Sequence, residues 1–121
     1  MTQTQLHQEL PSSPSPAILA VSEDLKTAFR DLLAALPGKP ERPMDVARSV
    51  QADKSVAHRL VTALAAKSPC DLLMTVPGPG PLAEIVQAAR KLGVAKPVCE
   101  AALDATARFG SLVQSLAGDR M

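Results

Sequence analysis

Aromatic side chains are almost missing from this sequence. Phe29 and Phe109 are the only two in 121 residues, with no tryptophan or tyrosine. That scarcity argues against recognition of single-stranded nucleic acid by base stacking, which needs several exposed rings. It also means that the core must be built from leucine, valine and alanine. Cysteine is equally scarce: Cys70 and Cys99 stand too far apart for a metal-binding pair, and His7 and His58 complete no ligand cluster. No metal or other cofactor is expected, and both cysteines are expected as reduced thiols in or near a core, with a bridge between them as the alternative. No apolar run reaches membrane length. The N-terminus lacks a basic start, and AILAV (17–21) is too short for a secretory signal, so the cytoplasm is the default expectation. Catalytic patterns are missing as well. The prolines of PGPGP (77–81) remove the N–H donors that a phosphate-binding glycine loop needs, and no GxSxG run occurs. The scattered carboxylates fall at helix starts or on mixed-charge faces. A non-enzymatic protein is expected.

What is present is helical periodicity. The length suits one small domain, and alanine-rich periodic segments with few β-branched runs predict an all-α fold: a compact domain of about five helices. Residues 1–15, rich in Gln, Thr, Ser and Pro, read as a disordered tail, and residues 16–118 as a single helical domain. The first helix is expected over 16–36, with Leu25, Ala28, Phe29, Leu32, Leu33 and Leu36 inward; Ser22, followed by Glu23 and Asp24, is its expected start signal, and Pro37-Gly38 ends it. SPCDLL (68–73) has the composition of a turn or short helix, and VPGPGP (76–81) of a rigid corner. A helix over 81–92 would bury Leu82, Ile85, Val86, Ala89 and Leu92, capped by Gly93. A long one from Pro97 to Leu116, ended by Gly118, would bury Val98, Ala101, Ala102, Ala105, Phe109, Leu112, Val113 and Leu116.

The most informative stretch is PMDVARSVQADKSVAHRLVTALAA (43–66). Its spacing is that of two short helices joined by a tight turn, the arrangement of a helix-turn-helix. Met44, Val46, Ala47 and Val50 share one face of the first helix, and Ala57, Leu60, Val61 and Leu64 one face of the second. Gln51, Ala52 and Asp53 form the turn, with Asp53 placed to cap the second helix. Gln51 occupies the turn position usually held by glycine, where the backbone tends to be left-handed. Lys54, Ser55, His58, Arg59 and Thr62 remain on the outer face of the second helix. These residue types suit DNA: arginine can bind guanine bidentately, lysine and serine can reach phosphates, and threonine can meet a base edge or a thymine methyl. A second segment, IVQAARKLGVAKPVCEAAL (85–103), imitates the same spacing, but its outer positions Glu100 and Asp104 would repel phosphates, so it reads as a structural helix pair.

The run KSVAHRLVTAL (54–64), preceded by DVARSV, resembles the recognition helix of IclR-type winged helix-turn-helix transcriptional regulators. Those carry Lys-Ser, then His-Arg-Leu, then a closing Leu at the same offsets. The resemblance covers about 25 residues of the chain. It implies that Lys54, Ser55, His58 and Arg59 face DNA. It also implies a wing, a β-hairpin after the recognition helix. Here the chain reads KSPCDLLMTVPGPGPL, where four prolines leave only Leu72 to Val76 with strand composition. The family's ligand-sensing domain has no counterpart, so the likeness is to the DNA-binding domain alone.

Charge location agrees with that reading. The net charge is only +1, but residues 38–67 carry six basic side chains against three acidic ones. Lys39, Arg42, Arg48 and Lys67 would form a phosphate-facing rim around the outer face. The expectation is therefore a double-stranded DNA-binding helix-turn-helix protein, a transcriptional regulator or the DNA-binding piece of one. A homodimer through the long C-terminal helix is expected, because one unit reads few base pairs. The alternative is a helical protein–protein interaction module whose positive patch is incidental.

Overall fold

The structure, a computed structural model, describes residues 15–119. Six α-helices account for most of them: α1 (Pro16–Ala35), α2 (Pro43–Val50), α3 (Lys54–Leu64), α4 (Pro69–Thr75), α5 (Pro79–Lys91) and α6 (Lys96–Asp119). No strand occurs among the described residues. The all-α expectation holds, with one helix more than expected. Of Leu72 to Val76, the only segment with strand composition after the recognition helix, the first four residues belong to α4 and Val76 is its C-cap, so a wing hairpin does not form there. Ser68 caps α4 by accepting from the Asp71 amide at 3.1 Å, and Pro69 opens it. A side-chain cap plus a proline in the first turn selects helix over a short run of β-formers.

Proline explains most helix starts. Pro16, Pro43, Pro69 and Pro79 each stand first in a helix, and Pro97 stands second in α6. At that place the missing N–H would be unpaired anyway, and the fixed φ already matches the helix. The corner expected over 76–81 is therefore shorter: only Val76, Pro77 and Gly78 precede α5, and Pro77 is fully buried. The start signal of α1 is Ser15, which accepts from the Ile18 amide at 3.2 Å. Ser22 instead lies buried within the helix, its hydroxyl donating to the Leu19 carbonyl. Of the tail expected over 1–15, Ser15 is this cap, and residues 1–14 lie outside the described residues. Gly118 does not end α6, which continues to Asp119.

The core is one cluster of leucine, valine and alanine around Phe29, with Leu25, Leu32, Leu60, Leu82 and Val86 among its most enclosed members. The inward face expected for α1 is buried throughout. Val61, Val98 and Leu112 are partly buried against the core, and five other expected core positions are exposed. Met44 is 44% exposed because the buried face of α2 begins two residues later, at Val46. Leu92 caps α5 where the chain turns outward, and Ala101 falls off the inward face that Cys99, Ala102, Ala105 and Thr106 define. Val113 and Leu116, 42% and 48% exposed, lie beyond the point where Gly110 packs on Pro79 at the start of α5. Both cysteines are free; Cys99 is buried as expected, but Cys70 is exposed, because the first turn of α4 places it outward. The 85–103 segment forms the packed pair α5–α6 with left-handed Gly93 between them. Glu100 pairs with Lys96 at 3.8 Å, and Asp104 shares Arg108 with Asp24 of α1. Asp104 foremost, and Asp24 with it, hold the Arg108 guanidinium pKa above its ordinary value.

α1 and α6 make the most extensive helix pair. Their buried spans, residues 21–33 and 99–109, coincide about the Asp24–Arg108 contact only if the helices run antiparallel. The first turn of α1 and the last turns of α6 therefore project from the same end.

The turn between α2 and α3 contains a local misfit. Gln51 has φ 53° and ψ 42°, the left-handed conformation. That conformation costs a residue with a Cβ roughly 1–2 kcal/mol, whereas glycine adopts it freely. Gln51→Gly should therefore raise the unfolding free energy by about 0.5–1 kcal/mol, the strain relieved less the added freedom of the unfolded chain. Urea titration followed by circular dichroism reads this directly, and a loss of stability would refute strain at Gln51.

Candidate nucleic-acid interface

α2 and α3 pack on each other across the three-residue turn, with Val46, Ala47 and Val50 facing inward from one and Ala57, Leu60, Ala63 and Leu64 from the other. Burial of that stripe fixes the rotation of α3. Lys54, Ser55, His58, Arg59 and Thr62 consequently stand exposed, as do Arg48, Arg42, Lys39 and Lys67. All nine expected contact residues are solvent-accessible, but their side chains are not equally free.

Arg59 reaches sideways to α4. Its Nε donates to the Thr75 carbonyl at 3.2 Å and its Nη2 to the Val76 carbonyl at 3.4 Å. These carbonyls close the last turn of a seven-residue helix, where a cation complements the negative helix end and satisfies orphan acceptors. Arg59, expected as a leading DNA contact, thus serves as a strap between α3 and α4. Ser55 is also engaged, donating from its hydroxyl to Asp53 Oδ2 at 2.7 Å. Asp53 holds the N-cap position with extended backbone, but its side chain makes no cap bond to an α3 amide; Ser55 takes it up instead. Lys54, His58 and Thr62 have no side-chain hydrogen bond or ion pair among the described residues.

The rim residues separate into two places. Lys39, Arg42 and Arg48 line one concavity of about 440 Å³ in the connector and first helix of the pair, together with Glu41 and Asp45. Arg48 stands 3.9 Å from Asp45, with both side chains at least half exposed. Such a solvated pair is worth little and leaves Arg48 available. Lys39 also has positive φ, at 45°, next to left-handed Gly38, so the backbone bends sharply just where the concavity forms. Lys67 is not part of it: it lies past the end of α3, in a crevice with Ser22, Glu23 and Lys26 of α1.

One structural arginine was not expected. Arg30 of α1 donates from Nη2 to the Leu64 carbonyl at 3.2 Å, closing the C-terminal end of α3. No local pattern announces a contact between residues 34 apart in sequence. α3 is therefore held twice by long-range arginines, at its own end by Arg30 and from its middle by Arg59. Arg59→Ala should lower stability by about 1 kcal/mol and speed amide exchange in α4, because it leaves two helix-end carbonyls without a cationic donor. Arg59→Lys should recover only part, since an ammonium lacks the fork that spans both carbonyls. Hydrogen exchange at the Val76 amide, bonded to the Leu72 carbonyl at 2.9 Å, is the readout; unchanged exchange in Arg59→Ala would remove the strap.

Among the described residues, no three His, Cys, Asp or Glu side chains could together hold a metal ion, and no helix is long and apolar enough to cross a membrane. Comparison with known proteins returns no match to a family model, a curated protein or a solved structure.

Proposed function

We propose that the protein binds double-stranded DNA through α2, the Gln51–Asp53 turn and α3, as a transcriptional regulator or the DNA-binding part of one. The observation that carries this reading is the state of the outer face of α3. It stands uncovered, polar and partly cationic, on a helix fixed to the body by its opposite face. A helix must be uncovered in this way to enter a major groove. The cationic concavity of Lys39, Arg42 and Arg48 supports it, as a place for backbone phosphates. The local likeness to IclR-type recognition helices supports it further, without the wing. Lys54, His58 and Thr62 become the leading groove contacts, and Arg59 passes to a positioning role. Cooperation of two copies would give the length of site that one unit cannot read.

The Arg59 and Ser55 contacts favour a second reading, a helical protein–protein interaction module, because two of the five outer-face side chains are already engaged. Duplex binding separates the two. Fluorescence anisotropy with a labelled mixed-sequence duplex at low salt should show binding by the parent protein. Lys54→Ala with His58→Ala should weaken it severely while leaving the far-ultraviolet dichroism intact. Binding undiminished by that double substitution would overturn the assignment of the α3 face, and no binding by the parent would favour the interaction module.

A further inference from the structure

We propose that the end of the molecule formed by the first turn of α1 and the last turns of α6 is the contact surface for a second copy of this chain. The inference locates the pairing that the duplex reading calls for, but it rests on different observations. The antiparallel packing of α1 and α6 brings residues 16–20 beside residues 111–116. Gly110 faces Pro79, where α5 begins: a Cβ added to Gly110 would stand 3.6 Å from that ring, so α6 runs on past its neighbour. There Leu19, Val113 and Leu116 stand 42%, 42% and 48% exposed. Large apolar side chains grouped on a protruding end need a cover.

Charge identifies the cover. No Asp, Glu, Lys, Arg or His occurs in residues 15–22 or 109–118. At the border of the patch, exposed Glu23 follows on α1, and Arg108 of α6 is shared between Asp24 and Asp104. In a two-fold contact each patch meets itself, so any unpaired charge would face its own like. A charge-free patch is the one kind that closes on itself without that cost, and depletion of charge marks the centre of interfaces generally. Within those two stretches an acidic or basic partner would find nothing to pair with, and an anionic lipid surface no cation.

Sedimentation velocity over a concentration series tests this on the full chain. The parent protein should show a monomer–dimer equilibrium. Val113→Glu with Leu116→Glu should raise its dissociation constant at least tenfold, with helical content and melting temperature unchanged because both sites are half exposed. Mixing Leu116→Glu with Leu116→Lys should restore association that neither shows alone, since only a patch that meets itself brings the opposite charges together. A parent that stays monomeric at high concentration overturns the proposal. So does a double variant that dimerises as tightly as the parent, or a mixture that does not associate. The duplex reading fails separately: a dimer without affinity for DNA overturns that reading alone, and a monomer that binds DNA overturns only the dimer.

Discussion

Replacing Phe29 by alanine should cost about 3–5 kcal/mol of unfolding free energy, the usual range when a large buried aromatic is truncated. Phe29 is wholly enclosed, and the side chains around it are chiefly Leu, Val and Ala. Phe109 is the only other aromatic of that core and lies on a different helix, so the ring has no aromatic replacement on its own helix. The less the surrounding leucines and valines collapse into the space, the nearer the cost comes to the upper end of the range. Small domains have only about 5–15 kcal/mol in total, so the variant should be near the edge of folding. Melting should fall by well over about 10 °C, at roughly 4–8 °C for each kcal/mol in a domain near this size. Urea unfolding gives the free energy and thermal dichroism the midpoint. A loss below about 1 kcal/mol would place Phe29 outside the cooperative core.

Duplex affinity should fall steeply with salt. Five exposed cations on the proposed surface make no side-chain bond to a helix-end carbonyl among the described residues: Lys39, Arg42, Arg48, Lys54 and Lys67. If all five engage phosphates, the slope of log affinity against log salt is about −4.5, and a fourfold rise in salt weakens binding about 500-fold. Lys67 lies apart from the concavity, so a slope nearer about −3.6 would mean that it does not take part. Lys39→Ala with Arg42→Ala should flatten the slope by about 2 if both contact phosphates. An affinity indifferent to salt would remove phosphate engagement altogether and leave the interaction module as the better reading. Arg59→Ala is the useful contrast, for it should weaken binding through loosened helix packing and leave the slope nearly unchanged.

The fold was legible where the signal is local. Proline in the first turn, apolar residues three and four apart, and glycine at Gly93 are all properties of a few neighbouring residues, and they placed nearly every helix. The left-handed Gln51 was legible in the same way, as a turn position with an unusual occupant. What escaped depends on distance. α4 was ambiguous because seven residues are too few for a period, and its Ser68 cap decides the matter. The role of Arg59 was illegible, since its partners are carbonyls sixteen and seventeen residues on, and a carbonyl has no sequence signature. Arg30 is the same case across 34 residues. The rotation of α3, and with it the exposure of all five outer-face residues, was readable from Ala57, Leu60 and Leu64 alone. The ends of inward faces were not. Val113 and Leu116 continue the apolar period of α6, but the period cannot say where α5 stops covering it.

The division of labour on α3 has a consequence for how such a surface can change over time. Among the described residues, Lys54, His58 and Thr62 make no side-chain hydrogen bond or ion pair, whereas Arg59 fastens α3 to α4. Replacements at the first three positions leave the scaffold nearly as stable as before, because exposed helical sites without partners tolerate exchange. A lineage could therefore wander through many outer-face chemistries at 54, 58 and 62, acquiring new target preferences, while position 59 stays pinned by the architecture it maintains.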